Sequence, residues 1–314
     1  MTRVAVLDDY HDVAKTIVEW PAGVELVSFT DHVADQDEVV ERLRGFDVIV
    51  AMRERTAFPR AVLERLPNLR LLVTTGTRNA AIDLAAASEL GIVVSGTWGI
   101  VSNTAELTWA LILAVTRRLP DEVAAVRAGG WQQAIGNDLN GKTLGLLGLG
   151  NIGSLVARVG NAFGMRVIAW SANLTDERAV ERGAERVEKN ELFRAADVVS
   201  IHLVLSDRTR HLVGAPELAL MKSTAILVNT SRGPIIDDTA LIDALERGAI
   251  AGAGLDAFDV EPLPSDHPYR QLPNVVATPH IGYVTNDCYR IFYDGIVEDI
   301  AAFLDGSPTR VIEP

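Results

Sequence analysis

Three charged residues stand in apolar company near the ends of strand-like runs: Arg232 in VNTSRGPIIDD, Glu261 in LDAFDVEPLP and His280 in VVATPHIGY. Loops at strand ends are where ligands bind in open α/β sheets. Taken singly, Arg232 fits a surface ion pair as well as a carboxylate clamp, His280 fits a satisfied core histidine, and Glu261 fits a solvated loop acid. Together they describe one chemistry. A carboxylate hydrogen-bonded to an imidazole fixes the ring and supports its charge, as a proton donor to a carbonyl oxygen requires. An arginine on the stiff turn before Gly233-Pro234 can hold a carboxylate through two parallel hydrogen bonds.

A second feature supplies the partner for such chemistry. Lys142 to Phe163, KTLGLLGLGNIGSLVARVGNAF, joins an apolar strand, a G-x-G-x-x-G turn and a helix of small residues. Gly148 makes the tight turn, Gly150 lets the backbone approach a pyrophosphate, and Gly153 lets the helix lie close on the strand. The following residues, Asn151 and Ile152, then offer helix N-terminal N–H groups to the anion. The turn follows a strand and opens a helix, which makes a dinucleotide site the stronger reading over a merely structural turn.

Elements able to position these residues can be read on both sides of the turn. Short apolar runs at 4–7, 24–29, 48–51, 71–74 and 92–94 alternate with helical patterns at 37–43, 60–66 and 82–89, as in an open parallel sheet. Further runs at 144–147, 167–170, 198–202, 226–229, 254–257 and 275–278 form a second series of six strands. The expected fold is therefore α/β, with two doubly wound parallel-sheet domains. One is a Rossmann dinucleotide-binding domain over residues 100–282. The other is a smaller, discontinuous substrate domain over residues 1–99 plus 283–314, completed by a helix at Asn286 to Leu304. The crossings near Gly99 and Gly282 are the expected hinges. Ser102 or Asn103 is expected to cap a helix running to about Arg118. That helix is apolar on nearly every face, which implies a buried place at a domain junction or in a homodimer, with packing inside one domain as the alternative.

Composition removes other classes. The 314 residues carry 29 basic and 42 acidic side chains, a net charge of −13, so no nucleic-acid partner is expected. The single cysteine, Cys288, forms no internal disulfide and no Cys-rich metal site, so no metal is expected and a reducing, cytoplasmic location is. MTRVAVLDDY enters a strand at once, without a signal segment, and the most apolar run, Leu107 to Val115, is far short of a membrane span.

The motifs resemble the D-isomer-specific 2-hydroxyacid dehydrogenase family over nearly the whole chain. Asn229-Thr230-Ser231-Arg232-Gly233, then Gly254-Leu255-Asp256-Ala257-Phe258 leading to Glu261-Pro262, then Thr278-Pro279-His280-Ile281-Gly282 reproduce three family motifs in order. The resemblance implies reversible hydride transfer between NAD(P)(H) and the C2 of a small 2-hydroxy or 2-oxo acid. It gives Arg232 the substrate's carboxylate and carbonyl, His280 the acid/base role, and Glu261 the tuning of His280. The smaller domain would take the flavodoxin-like form. Cofactor contacts would come from Gly148, Gly150, Asn151, Ile152, Gly153, Ser171, Thr230, Asp256 and Gly282, with Asp256 at the nicotinamide carboxamide. Thr75-Gly76-Thr77 and Asn103 resemble the loops that hold the substrate carboxylate, and Arg53 falls at a position that is often basic. A nicotinamide-sensing binding protein of the same fold, with little turnover, is the alternative.

Three positions depart from the family pattern. Ser171, in Trp170-Ser171-Ala172-Asn173, stands where an NAD-specific site usually has an acid, which leaves NAD and NADP both open. Arg78 and two following alanines alter the first substrate loop. Tyr283 replaces the second glycine of the last motif. Trp98, Trp109 and Trp131 are aromatics that shape either the site or the core.

Overall fold

The computed structural model describes residues 1–314 and divides into two compact units, Met1–Ile100 with Val284–Pro314, and Val101–Tyr283. The chain passes between them one residue beyond the expected boundaries. Each unit is built on a single parallel sheet, and no helix is long and apolar enough to cross a membrane.

The first unit contains β1 (Thr2–Val6), β2 (Val24–Ser28), α1 (Gln36–Leu43), β3 (Val48–Ala51), α2 (Arg60–Leu63), β4 (Leu71–Thr74), α3 (Leu84–Glu89) and β5 (Val93–Gly96). Its strand order is β2-β1-β3-β4-β5, the flavodoxin-like arrangement, with the switch point between β1 and β3. Every residue of β3 and β4 is buried, as their unbroken apolar runs require of strands covered on both faces. Asp35 and Asp83 cap α1 and α3 by accepting backbone N–H groups.

The second unit runs through α4 (Ser102–Thr116), α5 (Leu119–Arg127), β6 (Thr143–Leu147), α6 (Asn151–Ala162), β7 (Arg166–Trp170), α7 (Asp176–Glu181), β8 (Glu185–Arg186), α8 (Lys189–Ala195), β9 (Val198–Ile201), α9 (Ala215–Leu218), β10 (Ile226–Asn229), α10 (Asp238–Glu246), β11 (Gly252–Leu255) and β12 (Val275–Ala277). The order β12-β11-β10-β9-β6-β7-β8 places the switch point between β6 and β9, beside the glycine turn. This is a Rossmann sheet with seven strands where six were expected. The extra strand, β8, is the dipeptide Glu185-Arg186, which has no apolar residue to announce it.

One expectation about α4 changes. Val101 is its N-cap and already has helical backbone angles, so Ser102 and Asn103 lie inside the first turn and neither caps it. The helix is buried by packing within its own unit, against α6, β10, β11 and β12, while Glu106 and Ala110 stay exposed.

The last helix, α11 (Asn286–Leu304), returns to the first unit, capped by Thr285 and packed on β4 and β5. The tail beyond it pairs with β5: Ile312 N–H donates to the Val94 carbonyl at 2.8 Å, and Ser95 Oγ donates to the Thr309 carbonyl at 2.9 Å. Arg310 ties this tail back to α11 through Asp299 (3.0 Å), Glu298 (2.8 Å) and the Gly295 carbonyl (2.8 Å).

Burial pushes the Asp299 carboxyl up to about 6, against the opposing pull of Arg310 and Thr309. An acid whose folded value lies above its unfolded value near ~4 binds its proton more tightly when folded, so it makes stability fall as pH rises from about 4 to about 6. We predict that Asp299→Asn flattens the melting temperature across this window relative to the parent. Parallel curves for the two proteins would refute this.

Candidate active site

The glycine turn has the geometry a dinucleotide phosphate needs. Gly148 follows β6 with φ +99°, and a Cβ there would lie 2.3 Å from the His202 carbonyl oxygen. Gly153 sits in the first turn of α6, where a Cβ would lie 2.2 Å from the Gly148 carbonyl, so the helix is pressed onto the turn. At Gly150, the N-cap, a Cβ would meet nothing within 4 Å. The space beside Gly150 lies at a helix N-terminus with no acidic side chain in its first turn, where Asn151 is exposed and Ile152 half-buried. These residues fit a nicotinamide dinucleotide's pyrophosphate.

His202, which the sequence reading did not single out, packs directly beneath this turn. Its Nε2 pairs with Ser200 Oγ at 2.9 Å, and burial pushes the ring down to about 3. The imidazole is neutral and adds no charge under the phosphate site. Its only sequence signal was its place at the end of a strand.

Arg232, Glu261 and His280 come together in the same unit. Arg232 follows β10, and the loop is set by Asn229, whose Nδ2 donates to the Arg232 carbonyl (2.9 Å) while its Oδ1 accepts Ser231 N–H (2.9 Å). Next in the chain, Gly233 is packed against the loop that carries Glu261: a Cβ would lie 2.1 Å from the Phe258 carbonyl carbon and 2.4 Å from the Asp259 nitrogen. Only a residue without a side chain allows that approach. Glu261 then accepts Phe258 N–H at Oε1 (2.9 Å) and His280 Nδ1–H at Oε2 (2.6 Å). Burial alone raises the Glu261 carboxyl, yet the His280 hydrogen bond and charge, the Phe258 N–H and the Arg232 charge outweigh it and hold it below its ordinary value. Glu261 is therefore ionised near neutral pH.

His280 has φ +53°, a left-handed conformation that costs a residue with a Cβ about 1–2 kcal/mol and persists only where the surroundings enforce it. Asp256 provides that enforcement. Its carboxylate, 1% exposed, accepts Thr278 Oγ–H (2.6 Å) and Ile281 N–H (2.8 Å) at Oδ1 and Gly282 N–H (2.8 Å) at Oδ2, gripping the chain on both sides of His280. Burial raises its carboxyl against these bonds. Asp256 and Gly282, expected at the cofactor, are joined to each other by the last of these bonds, and the Gly282 carbonyl also accepts Thr104 Oγ–H at 3.2 Å. Thr230, also expected at the cofactor, has its hydroxyl 2.8 Å from Thr108 Oγ1 on α4. Since Thr108 already donates to the Thr104 carbonyl, Thr230 is the donor of this bond. Asn103 is buried in the first turn of α4, Ser171 is half-buried just past β7, and the Tyr283 ring stands edge-on to His280 with centroids 5.7 Å apart.

The first unit gathers a separate cluster. Arg53, at φ +54°, donates its N–H to Thr75 Oγ1 (2.9 Å) and Nη1–H to the Thr75 carbonyl (3.1 Å). Gly76 leaves room for that guanidinium, since a Cβ there would lie 1.8 Å from Arg53 Nη1. Asn79 Nδ2 fastens the loop to the Arg53 carbonyl (2.6 Å) and Thr74 Oγ1 (2.8 Å), while Thr77 and Arg78 are exposed. Trp98 and Trp131 are exposed as well, whereas Trp109 belongs to the core.

Comparison with known proteins follows the same lines. Residues 109–282 match the model of the D-isomer specific 2-hydroxyacid dehydrogenase, NAD binding domain. A glyoxylate reductase of Aeropyrum pernix is 44% identical over 255 residues, covering 78% of this chain and 76% of the relative. The structure of a phosphoglycerate oxidoreductase from Vibrio cholerae superposes with a TM-score of 0.93 at 36% identity, over 98% of this chain and 100% of that one. A D-lactate dehydrogenase from Aquifex aeolicus, solved with NAD and lactic acid, gives a TM-score of 0.76 at 28% identity, over 97% and 96% of the two chains.

The packing at Gly233 sets a test. We predict that Gly233→Ala lowers stability by about 1–3 kcal/mol through overpacking against the Phe258–Asp259 backbone, read as a shifted urea midpoint. An unchanged midpoint would mean that the two loops are not held in register by this contact.

Proposed function

The chain belongs to the D-isomer-specific 2-hydroxyacid dehydrogenase family, oxidoreductases that use a nicotinamide dinucleotide, and on that premise we propose that it interconverts a small 2-oxo acid and its D-2-hydroxy acid with His280 as the acid/base. The observation that carries the proposal is the 2.6 Å bond between Glu261 and His280 Nδ1, made beside Arg232. A bound dinucleotide supplies the hydride. The ionised Glu261 accepts from Nδ1–H, which leaves His280 Nε2 as the atom that gives its proton to the substrate oxygen in reduction and takes it back in oxidation. Arg232 holds the substrate and balances the negative charge that develops on that oxygen. Asp256 keeps His280 in its left-handed conformation, so the ring needs no reorganisation. The Arg53 guanidinium, seated on the Thr75-Gly76 turn, and the exposed Thr77 next to it are donors of the kind a carboxylate takes. Relatives named glyoxylate reductase favour a short substrate.

We predict that His280→Ala lowers kcat on the order of 10³-fold with a panel of short 2-oxo acids while dinucleotide affinity stays within a few-fold. The readout is the fall of nicotinamide absorbance. Substantial residual turnover would remove His280 from its role. A flat trace for the parent with every acid, alongside tight dinucleotide binding, would favour a sensor of the cofactor.

We also infer a homodimer acting in the reducing cytoplasm. α5 has no buried residue and exposes Leu119, Val123 and Val126 along one side, followed by Trp131 (74% exposed) and Ile135 (97%). Such a contiguous apolar face supports pairing with a second copy. Light scattering should give twice the chain mass for the parent and a single mass for Val123→Glu/Val126→Glu; a monomeric parent would overturn this reading.

A further inference from the structure

We propose that His267 is a positioning residue for the candidate acid/base pair: by bonding Asp238 at the start of α10 it fixes the loop between β11 and β12, and with it the carboxylate of Glu261. This rests on the reading of His280 and Glu261 as that pair and goes beyond it by naming a side chain outside the pair on which its geometry depends.

Glu261 stands on a loop with few anchors. Between Asp259 and Pro268 only Glu261, Leu263 and His267 are half-buried, and every other residue is exposed. Of the polar side chains in this stretch, only Glu261 and His267 hydrogen-bond to residues outside it. Leu263 packs on the core that holds Phe258 and Tyr269. That apolar contact has no direction, so it holds the loop down without fixing where along α10 the loop sits, which takes a hydrogen bond. His267 makes two, one at each ring nitrogen. Tyr269 N–H donates to Nδ1 at 3.3 Å, capping the 3₁₀ turn Pro268–Arg270, so the ring proton is on Nε2 and is donated to Asp238 Oδ2 at 3.2 Å. Asp238 benefits from that donor. It faces Asp259, whose carboxyl is pushed up by burial first and then by the Asp238 charge, with His211 and Arg210 acting the other way. A donor seated on Asp238 offsets this repulsion between α10 and the loop.

The tie reaches Glu261 by two routes. Along the backbone, His267 N–H donates to the Pro264 carbonyl at 3.2 Å. Arg270, in the same 3₁₀ turn, donates Nε–H to that carbonyl at 2.8 Å and Nη2–H to the Leu263 carbonyl at 2.6 Å. Residues 263–270 are thereby one closed piece, and it begins just after Glu261-Pro262. Across the rings, the His267 centroid lies 4.7 Å from that of Tyr269, and Tyr269 lies 6.3 Å from Phe258, whose N–H donates to Glu261 Oε1 at 2.9 Å. Both the chain that carries Glu261 and the N–H that holds its carboxylate are therefore joined to His267. The bond at stake is short, with Glu261 Oε2 2.6 Å from His280 Nδ1. A misplacement of about 1 Å at such a point costs on the order of 10²-fold in rate.

A short hydrogen bond from an imidazole to a carboxylate gives a proton resonance far downfield of other ring N–H signals, so the pair can be observed without turnover. Proton NMR of the full chain, with the His280 Nδ1–H signal assigned by its loss in Glu261→Gln, is the first readout, and kcat with glyoxylate and NADH or NADPH is the second. His267→Ala should move the resonance upfield and lower kcat about ten-fold, with KM for the dinucleotide unchanged within about two-fold. His267→Gln, whose amide reaches the place of Nε2, should keep the resonance where it is in the parent, whereas His267→Asn, which replaces only the Nδ1 cap, should behave as His267→Ala. In a Glu261→Gln background His267→Ala should change kcat by less than about two-fold, because an effect that acts through Glu261 vanishes with it. An unmoved resonance in His267→Ala, or an equal loss of kcat in both backgrounds, would overturn the assignment and leave His267 as a cap of its own turn. If His267→Ala does not fold, the contrast between His267→Asn and His267→Gln decides, and if glyoxylate is not turned over, the resonance does. Loss of the resonance in Glu261→Gln with kcat unchanged would instead overturn the acid/base reading itself.

Discussion

The buried carboxylate of Asp256 is the constraint on which the candidate site depends. It accepts three hydrogen bonds from the segment around His280 and so holds the chain on both sides of that left-handed histidine, whose Nδ1 is aimed at Glu261. Burial raises the cost of ionising Asp256, and the three donors offset it, so fold stability and the aim of the imidazole come from the same bonds. The arrangement is hierarchical. Asp256 sets His280, Glu261 selects its tautomer, and the close approach at Gly233 brings the loop of Arg232 against the loop of Glu261.

Electrostatics in the second unit separates into two regions. Around His280 the negative charges of Glu261 and Asp256 are each saturated by specific donors, whereas at the glycine turn positive potential accumulates from a helix end and the Arg182 guanidinium, which donates to the Leu149 carbonyl, with a neutral histidine beneath. A proton-transfer group and an anion site are thereby kept apart. Each lies at the C-terminal edge of one parallel sheet, where the strand order leaves room for ligands.

Much of this was legible in the residues. The glycine turn, the three charged motifs and the bounds of α11 were read from spacing alone, because tight turns, helix caps and apolar periods are local properties. What escaped was decided at long range or carried no apolar signal. β8 is two charged residues that complete a ladder only because β7 offers a free edge. Strand β11 begins two residues before its expected start, since Gly252 lies close under the Asn274 carbonyl and pairing starts there. Arg182 meets Leu149 across 33 positions of chain, and no pattern within either segment joins them. Asp256 was noticed for a ligand, and its grip on its own neighbours required coordinates to see.

The return of α11 to the first unit bears on how the chain is made. The second unit is continuous and can fold as soon as it clears the ribosome. The first unit, though begun earlier, lacks the helix that covers β4 and β5 and the tail that pairs with β5 until synthesis has passed residue 283. At ordinary translation rates that interval is about 10–40 s. For that time residues 1–100 carry an open apolar sheet face and an unpaired edge, so the need for chaperone protection falls on this segment, whose missing pieces are made only after the whole of the second unit.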